Sequence, residues 1–87
     1  MKHATPASLD AIETVLREIR DLNVLKEKSR GVFYRAGRAA LHFHEDPAGL
    51  FADLRPGSEW ERVAVNTPAE RATLLRRLRA GFAPKQE

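Results

Sequence analysis

The stretch from residue 41 to residue 55 constrains the fold more than any other part of the chain, because its pattern predicts a β-hairpin. Two runs of alternating apolar and polar residues flank the turn sequence Asp46-Pro47-Ala48-Gly49. Strands that alternate in this way bury one face of a sheet and leave the other in water. The stretch therefore predicts the centre of an antiparallel sheet that is covered on one side only.

Two pairing registers fit this hairpin. In the first, His42 lies opposite Asp53 and His44 lies opposite Phe51. In the second, a bulge at Gly49 shifts the pairing by one residue and moves Asp53 to the other face. Turn chemistry favours the shift, since proline cannot supply the positive φ of a primed turn. Burial favours the first register, which we expect, because each misplaced Leu or Phe forgoes about 1.5–3 kcal/mol.

An amphipathic helix is predicted over residues 8–22. Its apolar side chains recur at spacings of three and four, with charged residues between them. Glu13 and Arg17 form an i,i+4 pair of the favourable orientation. Either Thr5 or Ser8 can serve as the N-cap.

A second helix is predicted to begin at Thr67-Pro68-Ala69-Glu70 and to end at Gly81. The first segment combines a threonine N-cap, a proline at the first helical position and a glutamate three residues after the cap. Residues 70–87 carry the whole formal net charge of +3. This helix is the alternative site for weak nucleic-acid binding, through Arg71, Arg76, Arg77 and Arg79. We expect no such binding, because arginines near a helix C-terminus also follow from the helix dipole.

The pattern as a whole predicts an α+β fold of one domain over residues 1–87. We expect an antiparallel meander of about four strands, with the N- and C-terminal helices packed on one face in the order α-β-β-β-β-α. Residues 24–28 are a candidate fifth strand at an edge, where their charges would prevent further pairing. The ends, residues 1–6 and 84–87, are expected to fray.

Composition restricts the function classes. The chain has no cysteine, which excludes thiolate chemistry and favours a reducing compartment, so we expect a cytoplasmic protein. No segment is apolar enough for a membrane span, and we expect no secretory signal. A chain of 87 residues buries a thin core, so we expect a monomer or a weak homodimer.

The hairpin carries the main candidate site. Residues two apart in a strand point to the same face, about 6.5–7 Å apart at Cα, so His42 and His44 can converge on one ligand. We predict a non-catalytic binding module for a small ligand or a protein, without a cofactor. Its site comprises residues His42, His44, Asp53, Phe51 and Arg55.

The alternative for the same face is a divalent transition-metal or enzymatic site formed by His42, His44 and Asp53. An enzyme is disfavoured, because the chain has no cysteine nucleophile and its three serines lie at predicted turns or caps. Trp60 leaves two alternatives open. It either belongs to an apolar patch for a partner on the open face or lies in the core under a helix.

Residues 41–46 with the apolar strand 49–53 resemble a stretch found in small bacterial proteins without an established activity. The resemblance extends over about residues 31–78, including Trp60-Glu61-Arg62 and the helix start at Thr67. It implies a shared fold and no activity. The helix–sheet–helix order is also similar to frataxin-like folds in architecture alone, since Arg17 and Arg20 interrupt what would be an acidic first helix. No functional residue is transferred from that similarity.

Overall fold

A computed structural model describes residues 2–82 of the chain. These residues form six strands and three helices, in the order β1 (Lys2–His3), α1 (Pro6–Ala11), α2 (Glu13–Leu22), β2 (Lys26–Ser29), β3 (Val32–Arg35), β4 (Arg38–Asp46), β5 (Gly49–Leu54), β6 (Glu61–Ala64) and α3 (Pro68–Gly81). Strands β2 to β6 form an antiparallel meander in sequence order, and β1 pairs with β4. The α+β class is confirmed, but the sheet has more strands than the four or five predicted.

Strand β1 corrects the prediction that residues 1–6 fray. Lys2 pairs with Glu45 and His3 pairs with His44, and the backbone N–H of Ala4 donates to the carbonyl of Phe43 at 3.1 Å. Strand β4 has nine residues and β3 has only four, so β3 leaves the second half of β4 without a neighbour on that side. Strand β1 fills this place and pairs backbone groups that would otherwise form an open edge. The predicted fraying of residues 84–87 lies outside the described residues.

All three helices share one core with the sheet. Helices α2 and α3 contact each other and α3 contacts β6, which places both helical segments on the same face, as predicted. The largest fully buried side chains of this core are Phe33, Ile12, Leu16, Ile19, Leu41, Leu54, Leu74, Leu78, Val15 and Val65. Within residues 2–82, no helix is long and apolar enough to cross a membrane. No helix of the described residues covers the opposite face of the sheet.

The N-terminal helical segment is divided at Ile12, which corrects the prediction of one helix over residues 8–22. Ile12 has φ −115° and ψ 20°, outside the helical region, and its side chain is buried. Leu9 of α1 lies against Gly31, where an added Cβ would lie 2.8 Å from Leu9 Cδ2. Helix α1 therefore packs against the β2–β3 turn.

The predicted helix ends are confirmed. The Thr5 side chain accepts a hydrogen bond from the third residue of α1, so Thr5 is the N-cap. Asn23 ends α2 in the left-handed conformation, with φ 55° and ψ 34°. Thr67 and Glu70 form the reciprocal capping box of α3, and Gly81 is its last residue.

The hairpin of β4 and β5 has the register that burial favours. His42 pairs with Asp53 and His44 pairs with Phe51. Leu41, Phe43, Ala52 and Leu54 are buried on the core face. The two histidines and Asp53 therefore share the open face.

The turn accommodates proline without a shift in register. Asp46 pairs directly with Gly49, so Pro47 and Ala48 are the only two residues of the loop. The Asp46 carboxylate accepts a hydrogen bond from the Ala48 N–H at 2.8 Å. Gly49 takes the positive φ, at 129°, which leaves proline free of that requirement.

An ion-pair network ties α2 to the β2–β3 edge. The Glu13 carboxylate accepts hydrogen bonds from Arg20 and Arg30, each at 2.8 Å, and it lies 3.6 Å from Arg17, the predicted i,i+4 pair. Arg20 also bonds Glu27, at 2.6 Å. The hydrogen bonds from Arg30 and Arg20 lower the pKa of Glu13 from 4.5 to about 2.

We expect Glu13→Gln to be less stable than the unaltered chain at neutral pH. The stabilisation from a lowered carboxyl pKa is complete above the unfolded value of 4.5 and disappears as the pH falls through about 2. The difference in unfolding free energy between the two chains should therefore shrink across this interval. Urea denaturation at several pH values measures it, and a difference that is independent of pH would contradict the role of the Glu13 charge.

Candidate metal centre

Two strands bring all three histidines of the chain to one place on the open face. His42 and His44 are two residues apart in β4, and His3 lies directly opposite His44 in β1. Residues paired directly across strands point to the same face. Because the chain has only three histidines, the cluster of His3, His42 and His44 contains every imidazole of the protein. We call these three residues the histidine cluster.

The three rings are in mutual contact. The His42 and His44 rings are stacked with centroids 4.5 Å apart, and the His3 centroid lies 4.9 Å from that of His44 and 5.8 Å from that of His42. One ligand nitrogen from each ring can be chosen so that all three lie within 4.8 Å of one another. This arrangement offers three nitrogen donors to a single ion.

Two nitrogens of the histidine cluster have no hydrogen-bond partner within the described chain. His42 Nδ1 and His44 Nε2 are both buried and unpartnered. Buried polar atoms are nearly always hydrogen-bonded, and leaving one without a partner costs about 1–3 kcal/mol. A ligand that accepts the lone pairs of these nitrogens would remove that cost.

Asp53 lies behind His44 and is held by Arg62. The Arg62 guanidinium donates to both carboxylate oxygens, at 2.7 and 2.9 Å. The nearer carboxylate oxygen to His44 lies 3.7 Å from Nδ1, so Nε2 is the nitrogen on the side away from the carboxylate. The hydrogen bond from Arg62 lowers the pKa of Asp53 and keeps it ionised. Asp53, which was predicted as the third ligand, therefore has both oxygens bonded to Arg62. It lies beside His44 on the side of Nδ1.

Burial favours the neutral form of the two β4 imidazoles. It lowers the pKa of His42, and the neighbouring His44 adds to this effect. Burial also lowers the pKa of His44, which the charge of Asp53 partly offsets. Neutral imidazole is the form of histidine that binds metal ions.

Trp60 borders the histidine cluster on the open face. Its ring centroid lies 4.7 Å from that of His42, and the side chain is 43% exposed. The Arg55 guanidinium makes a cation–π contact with the same indole, 4.5 Å from the Trp60 ring centroid. The alternative that placed Trp60 in the core is therefore wrong. Trp60 also precedes β6 rather than belonging to it.

The structure brings together part of the predicted ligand surface. Phe51 lies next to His44 in the sheet and is half-buried. Arg55 contacts Trp60, which in turn contacts His42. The guanidinium of Arg55 donates to the Ala39 carbonyl at 2.6 Å. Phe51 thus flanks the histidine cluster, and Arg55 contacts the Trp60 ring at the border of the cluster.

Three of the four arginines predicted for nucleic-acid binding have partners within the chain. Arg71 donates to the Val65 carbonyl at 2.9 Å, and Arg76 donates to a threonine hydroxyl of its own helix at 3.0 Å. Arg77 pairs with Glu61 of β6. Arg79 is exposed in the last turn of α3. Of these partners, only Glu61 carries a charge, so within residues 2–82 Arg77 is the only one of the four whose charge is balanced by a carboxylate.

Sequence reasoning missed two residues of the site, His3 and Arg62. Arg62 could have been identified from the sequence, because extending the strand pairing from β5 to β6 places it opposite Asp53. The signal for His3 was weaker. It lay in the composition, since His3 is the one remaining histidine in a chain that has three.

No family model, curated protein or solved structure matches this chain. The resemblances to small bacterial proteins and to frataxin-like folds, and the expected cytoplasmic location, stay predictions.

Proposed function

We propose that this protein is a binding module for a divalent transition-metal ion, with Zn²⁺ as the first candidate. The histidine cluster supplies the ligands, one imidazole nitrogen from each of His3, His42 and His44. The observation that carries the proposal is the convergence of every imidazole of the chain on one patch, with two of their nitrogens buried and unpartnered. Imidazole is a preferred ligand of Zn²⁺, Cu²⁺ and Ni²⁺.

The geometry requires a small inward movement of the rings. Around Zn²⁺ at 2.0–2.1 Å, tetrahedral nitrogens are about 3.4 Å apart, compared with separations of up to 4.8 Å here. His3 is exposed on the short strand β1, so its side chain can close on the pair in β4 with little resistance. Asp53 would then orient His44 through Nδ1, as carboxylates commonly do behind metal-bound histidines.

Three protein ligands leave one coordination position open. Such sites occur in zinc enzymes, but the surroundings here favour binding over catalysis. The cluster lies on an open sheet face beside an exposed Trp60, whereas substrates are usually held in a concave pocket. The open position would accept water or a donor atom from a partner.

The experiment is a Zn²⁺ titration of the metal-free protein at constant pH, followed by NMR of the imidazole ring protons. Because only three histidines exist, each ring signal reports directly on the site. We expect all three signals to shift together and to saturate at one equivalent of Zn²⁺. Independent shifts of single histidines, or no saturation, would overturn the proposal.

A further inference from the structure

A second candidate site lies at the opposite end of β4, away from the histidine cluster. A cavity of about 270 Å³ is bounded by the β3–β4 turn, the segment after β5 and the end of α3. Three arginines are among the residues that line it, Arg35, Arg38 and Arg55. Pockets for small ligands typically begin near this volume, at about 300 Å³.

The three arginines of this cavity differ from most other arginines of the chain in lacking a carboxylate partner. Within residues 2–82, the arginines that do pair with a carboxylate are Arg17, Arg20, Arg30, Arg62 and Arg77. In the same part of the chain, no acidic side chain lies within salt-bridge distance of Arg35, Arg38 or Arg55, and none lines the cavity. Within residues 2–82, no carboxylate compensates the positive charge of the three arginines at this cavity.

Two of these guanidiniums are held in place by the fold. Arg55 donates to the Ala39 carbonyl at 2.6 Å and stacks on Trp60. Arg35 donates to the Val24 carbonyl at 3.4 Å and lies 5.8 Å from the Phe82 ring centroid. A guanidinium fixed in this way loses less side-chain freedom when an anion arrives.

We propose that this cavity binds a phosphate group of a small molecule. Arginine is the preferred side chain for phosphate, because its planar fork of donors matches two oxygens at once. The C-terminal end of α3, at Gly81 and Phe82, lines the same cavity and opposes an anion with about half an elementary charge. The three positive charges of the arginines exceed this partial negative charge of the helix end.

The adjoining surface indicates more than one phosphate group. A second cavity of about 200 Å³ shares Arg35 with the first and is lined by Lys26 and Lys28. A ligand with two linked phosphates would offer the arginines and these lysines a second anionic group. Inorganic pyrophosphate is therefore the probe of choice, in place of the unidentified ligand.

The test is a titration of metal-free protein with pyrophosphate, followed by backbone NMR and by the fluorescence of Trp60, the single tryptophan. We expect saturable shifts confined to residues 26–28, 35–40, 55–57 and 81–82, which line the two cavities, with a fluorescence change because Arg55 contacts the indole. Arg38→Gln should weaken binding by about tenfold, the usual effect of losing a charge-assisted bond. Arg38 is exposed, so this variant should fold normally.

Arg17→Gln is the matched control, since it removes the same charge from an exposed position on α2, outside the cavity. Binding that weakens equally in both variants would overturn the proposal, as would the absence of saturation. Succinate that binds as tightly as pyrophosphate would overturn the assignment to phosphate. A single-stranded oligonucleotide that binds far more tightly, with shifts spread over α3, would overturn the assignment to a small molecule.

Discussion

Replacing His3 by alanine is expected to weaken Zn²⁺ binding by about 100-fold or more, because the ion would lose one of three protein ligands. The fold should be almost unaffected. His3 is exposed in a strand of two residues, and the backbone pairing of β1 does not depend on its side chain. Calorimetric titration of the variant measures the loss of affinity, and thermal unfolding without metal checks that stability changes by no more than about 0.5 kcal/mol.

Two further variants make this prediction specific. Lys2→Ala alters the neighbouring residue, whose side chain is 74% exposed and near Glu45, and should leave the affinity unchanged. Asp53→Asn should weaken binding by about tenfold, as expected for a group that orients a ligand. Equal losses in Asp53→Asn and His3→Ala would instead favour Asp53 as a ligand. Unchanged affinity in His3→Ala would contradict the proposed site.

Replacing Gly49 by alanine is expected to destabilise the protein by about 3 kcal/mol, from two contributions. Gly49 has φ 129°, a conformation that costs other residues about 1–3 kcal/mol. An added Cβ would also lie 2.6 Å from Asn66 Oδ1. Asn66 would have to move and lose its hydrogen bonds to the Leu50 N–H and carbonyl, at 2.8 and 3.1 Å.

Gly57→Ala is the matched control for this effect. Gly57 lies in the segment between β5 and β6, its φ is outside the positive range, and an added Cβ would have no neighbour within 4 Å. We expect a change within about 0.5 kcal/mol. Urea denaturation of both variants measures the difference. Equal destabilisation by the two substitutions would show that the hairpin does not require glycine at position 49.

The register of the hairpin could be predicted because burial has a larger free energy than turn preference. A shift by one residue would expose Leu41, Phe43 and Leu54, which are buried in the core. The turn sequence indicated only a preference for a bulge at Gly49. The turn that forms has no bulge, and its conformation was not predicted. Gly49 takes the positive φ and the Asp46 carboxylate caps the loop, so Pro47 needs no bulge.

Strand β1 and its histidine could not be predicted by the same reasoning. A strand of two residues has no periodicity, and its stability comes from pairing with β4, about forty residues later in the chain. Strand β4 is longer than β3, so part of its edge is left for β1 to pair with. These strand lengths are known only from the folded structure. The site residues on β4 and β5 were therefore predicted, whereas the third imidazole was not.

X-ray absorption at the zinc edge of the loaded protein tests the proposed site most directly, because it counts the ligands of the ion. We expect three imidazole nitrogens at about 2.0–2.1 Å and one further light atom in the open position. Two imidazoles or fewer, or a carboxylate oxygen in place of the third nitrogen, would contradict a centre formed by His3, His42 and His44.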